Sequence, residues 1–81
     1  TPSQEFLRLD TELRVTAALA RLSPDYQEVV MLRNLQRLSF NEVAERMGRT
    51  RPAVQMLWMR AIRKLQVIME EQEAAEEDQA V

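Results

Sequence analysis

The stretch LSFNEVAERMGRTRPAV, residues 38–54, narrows the choice of fold furthest. Ser39 and Glu42 stand three apart, immediately before the apolar Val43 and Ala44. That is a capping box, in which the serine hydroxyl and the glutamate carboxylate each satisfy a backbone N–H at a helix start. Gly48 then stops the helix, because glycine enters the left-handed conformation at a C-terminus without steric cost. Thr50 caps a second helix, and Pro52 falls in its first turn, where a missing N–H does no harm. The sequence therefore predicts a short helix over about Phe40–Met47, a tight turn, and a longer helix beyond. Neither can hide its apolar side alone, so both must pack on further helices.

The rest of the chain can supply them. One glycine and three prolines among 81 residues leave little punctuation, and Leu, Ala, Glu, Arg, Gln and Met are common. These are helix formers, and the expected fold is all-α: one small four-helix domain over residues 1–81 containing a helix-turn-helix at about 39–65. The first helix is expected from Ser3 to Arg21, with Phe6, Leu9, Leu13, Ala17 and Ala20 as its apolar face. The next begins at Pro24 with Ser23 as its cap, and runs to Leu35 with Val29, Val30, Leu32 and Leu35 facing inward.

Charge is unevenly distributed. Residues 46–69 contain Arg46, Arg49, Arg51, Arg60, Arg63 and Lys64 and no acidic residue, a local charge of +6. Residues 70–81 contain Glu70, Glu71, Glu73, Glu76, Glu77 and Asp78, a local charge of −6, so the net −2 conceals a strong separation. A capped short helix, a glycine turn and a long basic helix form the helix-turn-helix pattern, whose second helix enters the DNA major groove. On a wheel of the long helix, Val54, Trp58, Ala61 and Leu65 lie within roughly 40° of one direction, with Leu57 and Ile68 beside them. Gln55, Met56, Met59, Arg60 and Arg63 point the other way. Glutamine can pair with the N6 and N7 edge of adenine, arginine with guanine or phosphate, and an apolar side chain can cover a thymine methyl. The candidate DNA-binding residues are Arg49, Arg51, Gln55, Met56, Met59, Arg60, Arg63 and Lys64.

The line ALARLSPDYQEVVMLRNLQRLSFNEVAERMGRTRPAVQMLWMRAIRKL resembles the C-terminal domain of bacterial RNA polymerase sigma factors of the small extracytoplasmic-function type. Ala18, Leu19 and Leu22 before the proline, EVVMLR, LSFNEVAERMGRT, Val54 and RAIRKL carry the resemblance. It implies promoter recognition at the upstream (minus-35) element by the fourth helix. It also implies core RNA polymerase, through its β flap, as a partner, an anti-sigma factor as a further one, and a cytoplasmic location. Thr1 to Glu5 would then end a linker from a separate domain, and a first residue other than Met suits a piece of a longer protein. Where the family commonly has Lys, Ser, Arg and His, this chain has Gln55, Met56, Leu57 and Met59, whereas Arg60, Arg63 and Lys64 keep the basic character. The effector domain of LuxR-type response regulators shares part of the pattern; RAIRKL and ALARLSP favour the sigma resemblance. A protein-interaction module that has lost DNA reading is the alternative of a different class.

Enzymatic function is not expected. With no histidine and no cysteine, Ser23, Ser39 and Thr50 have no customary base to activate them, and no thiolate or imidazole metal site is available. No cofactor is implied, and no apolar run approaches a membrane span. Trp58 is expected in the core. Three readings of Met56 and Met59 stay open: contact with thymine methyls, packing on a partner, or simple tolerance at the surface. The acidic end opposes the helix macrodipole, so the fourth helix is expected to lose order after Met69. It reads either as a solvated tail or as a competitor for the basic face.

Overall fold

The computed structural model describes residues 2–79. Helix α1 spans Pro2–Ala20, α2 spans Pro24–Val30 and continues into a π-helical turn at Met31–Leu35, α3 spans Phe40–Met47 and α4 spans Arg51–Gln79. No strand occurs among the described residues. Helices α2 and α3 pack on the first half of α4, and α1 lies across it further along. The buried core contains Ala18 and Leu22 from the α1 end, Val29, Val30 and Leu32 from the α2 segment, Val43 and Ala44 from α3, and Val54, Ala61 and Ile68 from α4.

The α4 wheel matches this arrangement. Val54 and Ala61 are fully buried, Ile68 nearly so, and Leu57, Trp58 and Leu65 pack partly buried around them. Trp58 is therefore a core-edge residue. Its ring meets that of Phe40 edge to face at 5.6 Å, and its indole N–H donates to Asn34 Oδ1 at 2.8 Å.

Four expectations are corrected. The apolar face expected on α1 points into solvent: Phe6 is 71% exposed and Leu13 60%, with Leu9, Ala17 and Ala20 also exposed. The buried residue of α1 is Ala18, on a face rotated by roughly a third of a turn. On this face Ala18 packs into the core cluster with Leu22 and Ile68, while Arg14 reaches Glu76 at 2.7 Å and Arg21 reaches Glu71 at 3.4 Å, both on α4. The small Ala18 allows close approach between those two arginines.

Helix α2 does not reach Leu35 as a regular α-helix. Its last turn widens, with Gln36 N–H donating to Met31 O and Leu38 N–H to Leu32 O. The change of period carries Leu35 out of the core, to 61% exposure. Arg37, at φ 58°, takes the left-handed conformation and redirects the chain toward Ser39.

Ser23 occupies the start of α2, but its side chain makes no capping bond. Pro24 sets the first turn instead, and the Gln27 amide closes the junction by donating to Leu22 O at 3.0 Å.

Helix α4 does not lose order after Met69; it continues to Gln79. The partners supplied by Arg14 and Arg21 offset the unfavourable placement of acidic groups near its C-terminus. The linker reading of Thr1, the side chain of Asp78 and the last two residues of the acidic end fall outside what the structure describes.

Candidate nucleic-acid interface

The interface is built on two well-made helix starts. Ser39 Oγ accepts from Glu42 N–H at 3.1 Å, and the Ser39 N–H donates back to Glu42 Oε1 at 3.3 Å. Gly48, at φ 64° and ψ 36°, closes α3, while Arg49 N–H donates to Ala44 O. A Cβ at Gly48 would meet no neighbouring atom, so the positive φ alone accounts for the glycine. Thr50 Oγ1 accepts from Ala53 N–H at 3.3 Å, and α4 starts at the next residue, Arg51. The turn is short and bonded at both ends, so the outer face of α4 stands at a defined angle to α3.

The sequence-predicted site residues fall into three groups. Gln55, Met56 and Met59 join Phe40, Pro52 and Trp58 around a shallow depression of mostly apolar lining. Arg60, Arg63 and Lys64 continue along the helix beside Tyr26 and Val67 and form a second, cationic patch. None of the ion pairs among the described residues uses them. Arg49 and Arg51 stand apart. Arg49 pairs with Asp25 at 2.6 Å and ties the turn to the start of α2, and Arg51 Nη1 lies 3.5 Å from Asn41 Oδ1.

The structure adds residues that the sequence reading did not single out. The Arg33 guanidinium lies 4.3 Å over the Phe40 ring and donates through Nη1 to Leu38 O at 2.9 Å. Asn34 holds the Trp58 indole. Arg33, Phe40, Trp58 and Asn34 thus make a stacked, hydrogen-bonded floor beneath the depression. No local pattern marks Arg33 and Asn34, because the widened turn at Met31–Leu35 is what brings Arg33 to Phe40 of α3 and Asn34 to Trp58 of α4. Among the described residues, no buried side-chain polar atom lacks a partner and no acidic cluster suits a metal ion. No helix is long and apolar enough to cross a membrane.

The chemistry available is recognition. The outer face of α4 offers cations for phosphate, the Gln55 amide and the Met56 and Met59 thioethers for base edges, and no carboxylate stands between Arg46 and Met69 to repel a polyanion.

Comparison with known proteins points the same way. The family model described as Sigma-70, region 4 matches residues 12–65. A chain of a solved 1.8 Å structure of an RsbN–BldN complex is similar in fold, with a TM-score of 0.70 and 35% identity. The match covers 80% of this chain and 47% of that one, so this chain spans about half the length of the solved chain it resembles. A comparison with curated proteins gave no match.

Proposed function

The chain belongs to the sigma-70 region 4 family, the part of sigma factors that recognises the minus-35 promoter element, and from that premise we propose how its residues divide the task. Helix α4 enters the major groove of promoter DNA. Arg60, Arg63 and Lys64 grip phosphates, and Gln55 pairs with an adenine edge between them. Arg49 holds the turn to α2 and reaches phosphate from there, and Arg51 does so from the first turn of α4. The chain does no covalent chemistry. It directs RNA polymerase of the cytoplasm to the upstream promoter element as part of a sigma factor of the extracytoplasmic-function type. The β flap of the polymerase core and an anti-sigma factor are its protein partners.

One observation carries this reading: a rigidly capped helix presents Arg60, Arg63 and Lys64 on a face where no carboxylate pairs with them among the described residues. Fluorescence anisotropy of the 81-residue chain with labelled duplex DNA across a salt series tests it. Neutralising about 3 to 5 phosphates gives a log–log slope of about −3 to −4.5. A flat slope, with salt-insensitive self-association instead, would identify α4 as a protein-interaction face.

A further inference from the structure

Resting on that placement of α4 in the major groove, we propose that Met56 and Met59, over the floor made by Phe40 and Trp58, form a seat for the 5-methyl group of thymine. The chain then reads T·A pairs by apolar contact and not by hydrogen bonds alone.

The first observation is the composition of the depression. Apart from Gln55, the side chains around it are Phe40, Pro52, Met56, Trp58 and Met59. Met56 is 50% exposed and Met59 53%, in the first half of α4, where the other charged residues, Arg51, Arg60, Arg63 and Lys64, are all cationic. Of the groups in the major groove, the thymine methyl is the one apolar substituent; cytosine offers an amine, and purines offer acceptors or an amine. An amine pressed against two thioethers and two aromatic rings would lose its water without gaining a partner.

The second observation is that the polar groups of the floor are already engaged. The Trp58 indole N–H is bonded to Asn34, and Arg33 is stacked on Phe40 and bonded to Leu38 O. No arginine fork is therefore aimed into the depression to take guanine O6 and N7. Gln55 makes no side-chain hydrogen bond among the described residues, and it lies at the rim, placed to take the adenine of the same or a neighbouring pair.

The third observation settles which occupant the surface suits. Arg51 stands at the start of α4, and Arg60 and Arg63 stand about one turn beyond the methionines. Cations at both ends of a small apolar seat match the phosphate rows that border base edges in a groove. The methionines adapt to the methyl group, and the braced rings beneath them restrict where it can sit.

The experiment begins by selecting duplexes from a random-sequence pool with the 81-residue chain. Each thymine of the enriched site is then replaced singly by deoxyuridine, which removes only the methyl group. Binding is expected to weaken about fourfold at one or two positions, the factor for burying roughly one methyl group. Met56→Ala or Met59→Ala should abolish the difference between thymine and uracil, and Met56→Leu should retain it, with circular dichroism showing each variant folded. Equal affinity for thymine and uracil at every position overturns the proposal. An unenriched pool, with the steep salt dependence intact, also overturns it while leaving the phosphate grip standing. A flat salt slope would instead remove the major-groove placement on which the seat depends.

Discussion

The two ends of α4 belong to regions held by different forces. At its N-terminal end, α2, α3 and α4 enclose fully buried Val29, Val43 and Val54, and the short α3 is pinned by bonds at both ends. At its C-terminal end, α1 lies against an acidic stretch of helix, buries only Ala18, and leaves Phe6, Leu9 and Leu13 in water. There the visible cross-links are two partly exposed ion pairs. Hydrophobic burial makes the first region a fixed frame for the outer face of α4. Exposed ion pairs are individually weak, so the second region is held loosely and responds to salt. The chain thus invests its core under the helix-turn-helix, where a defined angle between α3 and α4 matters for function.

The largest test of this contrast compares two aromatic residues. Trp58→Ala removes the ring that meets Phe40 and the bond to Asn34, and should cost about 3 kcal/mol or more. A chain of this size has roughly 4 to 12 kcal/mol in total, so the loss should be about a quarter of the whole or more and should lower the urea midpoint clearly by circular dichroism. Phe6→Ala should change the unfolding free energy from urea titration by no more than about 0.5 kcal/mol, because its ring is 71% exposed. If the two substitutions cost the same, the regions are equally packed and the contrast fails.

Next in size is the effect on DNA. Gln55→Ala should lose about 1 to 3 kcal/mol on the preferred duplex and little on random DNA. Arg60→Ala and Arg63→Ala should weaken binding to all duplexes alike, and each should make the salt slope shallower by about 0.9. Anisotropy on one specific and one scrambled duplex separates the two behaviours. Equal losses for Gln55→Ala on both would show that it reads no base.

A smaller effect distinguishes two serines at equivalent helix starts. Ser39→Ala removes a real capping box and should cost about 1 kcal/mol in chemical denaturation. Ser23→Ala should cost almost nothing from capping, since that hydroxyl makes no such bond. A substantial loss at Ser23 would show a cap formed in solution and weaken the view that Pro24 alone sets the start of α2.

The smallest effect is at the far end. Arg14→Ala should destabilise by less than about 1 kcal/mol at low salt and by nothing measurable at high salt. Truncation at Glu70 should loosen α1 and raise DNA affinity only slightly, with the gain fading as salt screens the lost negative field. The carboxylates of Glu71 and Glu76 are turned toward α1 and not toward Arg60 and Arg63, which opposes a tail folded over the basic face. Unchanged affinity at low salt would make the acidic end a bystander to DNA binding.

How much of this was legible in advance varies along the chain. Ser39, Glu42, Gly48 and Thr50 act on backbone groups within three or four residues of themselves, so their roles can be read from spacing, and the structure bears them out. The inward face of α4 was equally legible, because Val54, Ala61 and Ile68 repeat at helical period beneath two other helices. The apolar repeat of α1 was just as regular and misled. Periodicity reports that a helix has an apolar side, not that a neighbour covers it.

By itself, the sequence determined that this chain is helical, where α3 begins and ends, where α4 begins, and which segment carries the unopposed positive charge; all of these depend on neighbours a few residues away. Tertiary structure decided the rest. Arg14 and Arg21 meet Glu76 and Glu71, some 50 or more residues away, only once α1 packs with Ala18 inward and α4 runs on past Met69. The widened turn after α2 brought Arg33 and Asn34 to Phe40 and Trp58 and built the floor of the apolar depression. Contacts between positions so far apart leave no local pattern, because their geometry exists only once the helices between them have packed.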